Sequence, residues 1–152
     1  MKNRIFLSIL NVLFLCVVIL AVSSYFIYHP SYLGIVIISL GLLCLVTLYP
    51  FKIPINTIWP DVVFGIIDNG ILAIMAIFGG EIGGVIGAVI GGVMGNAVTD
   101  GVAGIFEGLM AEKSKVGKNG DSRTMLGSAV GKMSGCLFSA GVVLIFANFF
   151  KI

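Results

Sequence analysis

Residues 83–102 read GGVIGAVIGGVMGNAVTDGV. Gly83, Gly87, Gly91 and Gly95 recur every fourth residue, with Gly79 one step earlier, so on a helix they form one stripe. Small residues at this spacing let membrane helices bring their backbones together. Gly127, Gly131 and Gly135 repeat the pattern near the C-terminus. The spacing predicts tight helix packing; it does not separate packing within one chain from packing between two, and glycines can also act as transport hinges. The quoted stretch then turns polar, at Asn96 and, four residues on, Asp100.

The surroundings are apolar. Of 152 residues, 59% are hydrophobic and 11% charged, against roughly 25% charged in a soluble domain, and the mean hydropathy is +1.15. A soluble domain this small cannot hide so much apolar side chain, so the composition predicts an integral membrane protein, in contact with lipid. The net charge of +2 is too small to point to nucleic acid. Cys16, Cys44 and Cys136 lie in three separate apolar segments with no CxxC pair, which argues against a disulfide frame or a zinc site.

Proline, glycine and charge divide the chain into five helices, giving an all-α fold. Spans are expected at about 5–28, 32–48, 61–78, 81–112 and 124–150, lengths that fit a hydrocarbon core of ~30 Å, with the fourth longer than the membrane needs. His29-Pro30 and Tyr49-Pro50 end the first two, because proline disfavours helix in the residue before it. Residues 51–60 read as an interfacial connector, with Trp59 at headgroup level. A secretory signal competes for the N-terminus, with Ala21-Val-Ser23 resembling a cleavage site, but the apolar run is longer than a signal core. Residues 1–50 thus form a pair of plain N-terminal helices, and 51–152 a glycine-rich three-helix core.

If every span crosses, Lys2, Arg4, Lys52, Lys113, Lys115, Lys118 and Arg123 share one side and Lys151 takes the other. The positive-inside rule then places the N-terminus in the cytoplasm and the C-terminus outside. The sequence shows no Arg-rich, Ser-rich transit peptide, which favours a bacterial plasma membrane over a mitochondrion.

Asp68 and Asn69 fall ~10 Å below the cytoplasmic surface on the third helix. The fourth runs the other way, and Asn96 and Asp100 lie ~22 Å and ~28 Å from its outer end. The two polar pairs therefore converge in the cytoplasmic half of the membrane. Asn96, Thr99 and Asp100 share a helix side at i, i+3 and i+4, and Gly101 invites a local loosening that would free carbonyls. This all-oxygen set suits hard cations such as Na+, Ca2+ and Mg2+. The plainer reading is hydrogen bonding between helices, worth ~0.6 kcal/mol per contact, against ~2.5–3.5 kcal/mol to insert an ionised Asp. Lys132, near the same depth, has three readings: an ion pair with Asp68 or Asp100, a counter-charge to an empty site, or a side chain reaching for the surface. Glu107, seven residues after Asp100, lines an entrance or a solvated face. Glu81 caps the positive end of the fourth helix or attracts cations from outside. His29 lies in an external turn.

FGIIDN (Phe64 to Asn69), GNAVTD (Gly95 to Asp100), the nearby Glu107 and LGSAVGKMSGC (Leu126 to Cys136) together resemble the transmembrane protein 65 family, which has mitochondrial inner-membrane and bacterial members. The resemblance covers roughly the last 90 residues. It implies a three-helix core linked to Na+-dependent Ca2+ transport, with Asp68, Asn69, Asn96 and Asp100 as the ion-handling set and Glu107 beside it. Lys132 stands where the family pattern has an uncharged residue.

The expectation is therefore a Na+/Ca2+ exchanger with a metal set of Asp68, Asn69, Asn96, Thr99, Asp100 and Glu107, with no cofactor beyond the transported ions. Three core helices enclose little space, so a homodimer through a glycine face is expected. The alternative is a membrane adaptor that regulates another transporter. Enzyme chemistry is not expected: Asp68 and Asp100 follow Ile67 and Thr99 rather than the glycine of a GxGD protease, and there is no HExxH motif or Ser–His set.

Overall fold

The computed structural model describes residues 2–114 and 124–150, side chains at Lys2 and 106–114 excepted. Most of the basic loop, including Lys115, Lys118 and Arg123, lies outside the described residues, as does the side chain of Glu107. The described chain is all-helical, with α1 at Lys2–Phe26, α2 at Pro30–Val46, a 3-10 turn at Tyr49–Phe51, α3 at Ile55–Ser114 and α4 at Met125–Phe150. Four of its helices are long and apolar enough to cross a membrane.

Each junction has a local cause. Pro30 sits in the first turn of α2, where its missing N–H costs nothing and its fixed φ suits a helix. After the 3-10 turn the chain is redirected at Lys52, which adopts the left-handed conformation at φ 55° and donates its N–H to the Tyr49 carbonyl at 3.0 Å. Thr57 Oγ1 donates to the Pro54 carbonyl at 2.7 Å as α3 begins. That start is earlier than the expected Asp61, because Pro60 is accommodated inside the helix.

Straight, the 60 residues of α3 would reach ~90 Å. Instead the chain leaves helical geometry at Gly83 (φ −128°, ψ 17°) and Gly84 (φ 59°, ψ −141°). Gly84 has a conformation that only glycine adopts readily. Beyond it the chain folds back, and limbs 55–82 and 85–114 run antiparallel. The glycine stripe closes this hairpin: Gly87 lies against the Gly79 carbonyl, Gly91 against the Met75 carbonyl, and a Cβ added at Gly95 would stand 3.0 Å from Leu72 Cα.

This corrects three expectations. The break falls at Gly83-Gly84, not at Gly79-Gly80, because Gly79 is held in the helix by its contact with Gly87. Glu81 therefore ends the first limb rather than opening the second, so it does not cap a helix N-terminus. Gly83 leaves the packing stripe altogether: nothing lies within 4 Å of the place a Cβ would occupy.

Helix α4 occupies the centre. Along one side it runs parallel to the first limb of α3. Added Cβ atoms at Gly127 and Gly131 would each stand 2.9 Å from that limb, at Ile58 and Asp61, and Gly135 lies against the Val62 carbonyl. Along the other side it runs antiparallel to α2. There a Cβ at Gly41 would stand 2.6 Å from Phe138, and one at Gly141 would stand 2.5 Å from Ile38. Helix α1 lies against α2, where Asn11 Nδ2 donates to Thr47 Oγ1 at 3.2 Å. One buried cluster joins Leu15, Cys44 and Leu48 to Ile58, Val62, Leu126 and Val130, so the N-terminal pair and the glycine-rich helices share a core. The outer faces stay apolar; Leu20 is 68% exposed and Val85 83%. Such surfaces are a liability in water and match lipid chains.

Candidate functional site

The hairpin register fixes the site. With Gly87 on Gly79, Gly91 on Met75 and Gly95 on Leu72, the next turn brings Thr99 to Asp68. Thr99 Oγ1 donates to Asp68 Oδ1, and also lies 3.1 Å from the Gly95 carbonyl and 3.0 Å from the Asn96 carbonyl. Its single proton serves one of these acceptors at a time. Asn69 Nδ2 is 3.3 Å from Asp68 Oδ2 and 2.6 Å from Cys136 Sγ. The cluster therefore takes Asp68 and Asn69 from the first limb, Thr99 from the second and Cys136 from α4. Thr99 is buried, while Asp68 and Asn69 are half-buried.

A cleft of about 490 Å³ opens beside this cluster, between the limbs. Trp59, Phe64, Ile67 and Val98 are among its apolar walls, and Asp68 and Thr99 give it a polar edge. Its position follows from the sequence. Up to Gly95 the second limb presents glycine to the first; past Gly95 it presents Val98, Thr99 and Val102, and the limbs spread.

Asn96 and Asp100 are not part of this cluster. Asn96 Nδ2 donates to Asp100 Oδ2 at 2.8 Å, and Asp100 is exposed. One residue is ~100° of helix turn, so with Thr99 facing Asp68, Asp100 faces away from the first limb. The expected six-residue metal set is thus divided: Asp68, Asn69 and Thr99 converge, Asn96 and Asp100 pair on the outer side, and the Glu107 side chain lies outside the described residues. The loosening expected at Gly101 is absent, and the helix continues through it.

Lys132 has a ring contact in addition to the interactions expected of it. Its Nζ lies 4.6 Å from the Phe64 ring centroid, a cation–π geometry, one turn from Asp68 on the same limb. The expectations also passed over Asp61, which is 3% exposed and accepts a hydrogen bond from Ser128 Oγ at 2.7 Å. Cys136, which enters the sequence reading only as a thiol in an apolar segment and as the end of LGSAVGKMSGC, reaches the cluster through Asn69. A signal for both was present in the spacing: Asp61 and Asp68 are seven apart, and Ser128, Lys132 and Cys136 are four apart, so each set falls along one helix side.

Compared with known proteins, the chain matches no family model, no curated protein and no solved structure. The resemblance to the transmembrane protein 65 family therefore stands on the short motifs alone.

Proposed function

We propose that the chain is a multi-pass membrane cation transporter that uses Asp68, Thr99 and Asn69 as its intramembrane cation site. The observation that carries this reading is the meeting of Asp68 and Thr99 across the hairpin, at the edge of a cleft. In lipid, a carboxylate costs several kcal/mol unless it is partnered or neutralised, and polar groups retained there by two helices at one level favour a functional site. Both limbs of α3 cross the membrane in this reading, giving five crossings. Basic residues then put the N-terminus inside, and a bacterial plasma membrane is the membrane proposed.

Charge bears on the ion. One carboxylate with a hydroxyl and an amide oxygen is the small, weakly charged ligand set that a monovalent cation such as Na+ accepts. Ca2+ calls for six to eight oxygens and more negative charge. Na+ is accordingly the ion assigned to the Asp68 site, and exchange against Ca2+ follows from the family resemblance. The test is Na+ binding to the purified protein. Wild type and Asp100→Asn are expected to bind alike, whereas Asp68→Asn loses binding at nearly constant side-chain volume. Wild-type binding by Asp68→Asn would overturn the assignment. A wild-type protein that binds neither Na+ nor Ca2+ would point instead to the adaptor.

A further inference from the structure

The outer side of the second limb carries a pattern that the hairpin does not use. Ile86, Val89, Val93, Asn96 and Asp100 are spaced three, four, three and four residues apart, the a/d spacing of a coiled-coil seam. The three apolar members are 74%, 61% and 64% exposed, and Asp100 is exposed as well. Helix pairs in membranes commonly cross at the same shallow angle as soluble coiled coils, so the seam suits a second membrane helix. Meanwhile Gly79, Gly87, Gly91 and Gly95 are occupied by the hairpin, and Gly127, Gly131 and Gly135 by the seam between α4 and the first limb. The glycine faces that would have joined two chains are closed inside one.

We propose that a second copy of this chain docks on the Ile86–Val89–Val93–Asn96–Asp100 seam, in parallel, about a two-fold axis along the membrane normal. This inference rests on the membrane-spanning reading and not on transport. Lipid offers no partner for Asn96 and Asp100, which sit level with Asp68. A parallel second copy offers the same donor and acceptor at the same depth. Asn96 spends one amide N–H on its own Asp100 and keeps another N–H and its oxygen for the seam. A lone Asn at such a position fixes register and favours a parallel pair. An isologous contact also closes on itself and leaves no open chain of copies. The two Asp100 carboxylates then approach each other, and their repulsion sets the sign of the test.

The experiment uses full-length protein in lipid nanodiscs and liposomes, in a background lacking Cys16, Cys44 and Cys136. Oxidative cross-linking of Val93→Cys, and of Val89→Cys as a second position, is compared with Leu20→Cys on the exposed side of α1. Photobleaching steps count the subunits of wild type, Asp100→Asn and Asn96→Leu. Expected results are two-step bleaching, seam cross-linking several-fold above the Leu20 control, a larger dimer fraction in Asp100→Asn and a smaller one in Asn96→Leu. Single-step bleaching, or cross-linking at Leu20 equal to that at both seam positions, overturns the proposal. So does a dimer fraction unmoved by either substitution, since a lipid-facing side or a site for another protein would show that result.

Discussion

At the level of single residues, the site depends on one hydroxyl. Thr99 reaches Asp68 across the hairpin, while Asp100, one residue on, faces away. Thr99→Val keeps the shape and removes the donor, so Na+ affinity should fall by about tenfold or more, the scale of a lost charge-assisted hydrogen bond. Thr99→Ser should restore most of it; equal affinity in the Val variant and wild type would remove Thr99 from the site. Lys132 Nζ also lies over the Phe64 ring. A double-mutant cycle of Lys132→Met and Phe64→Leu should show a coupling of about 1 kcal/mol in unfolding, and strict additivity would show that the ring does not hold the ammonium. Counting residues brings the polar groups to a common depth and puts Asn96, Thr99 and Asp100 along one helix side, but it does not say which of them faces Asp68. Depth follows from counting residues. Facing depends on how two helices roll against each other, and here the glycine contacts decide that.

At the level of elements, α3 is a hairpin because two glycines differ in what they do. Gly84 bends the chain with φ at 59°, and Gly91 admits the neighbouring backbone. Gly84→Ala should cost about 1–3 kcal/mol through backbone strain. Gly83→Ala, at negative φ with open space around it, should stay within about 0.5 kcal/mol of wild type. Gly91→Ala drives a methyl into the Met75 carbonyl and should cost about 1–3 kcal/mol by overpacking. Unfolding in detergent ranks the three, and Gly83→Ala falling below Gly84→Ala would contradict the assigned turn. The helical content and the glycine seams were legible from spacing. The exact turn was not, since Gly79-Gly80 and Gly83-Gly84 look alike as letters and differ only in which pair must lie flat against its neighbour. The role of α2 was hidden for a related reason: Gly34 and Gly41 are seven apart and show no four-residue stripe, yet both press on α4.

At the level of the whole molecule, α4 joins the hairpin to α2, so the site is held from both sides. If both limbs of α3 cross the membrane, single cysteines at Glu81 and at Lys118 should be labelled from opposite faces by an impermeant reagent; labelling of both from one face would contradict five crossings. Composition alone was enough to expect long apolar helices, and four in the described chain are long and apolar enough to cross a membrane. In the proposed transport reading, the ion that is moved depends on charge at one position, Asp68. The most direct measurement is Na+-driven Ca2+ flux in liposomes holding the purified wild-type protein or Asp68→Asn. The account predicts flux in wild type that collapses when the Na+ gradient is removed, and background flux in Asp68→Asn at equal incorporation and unchanged thermal stability. Flux in Asp68→Asn equal to wild type, or none in a correctly inserted wild-type protein, would contradict it.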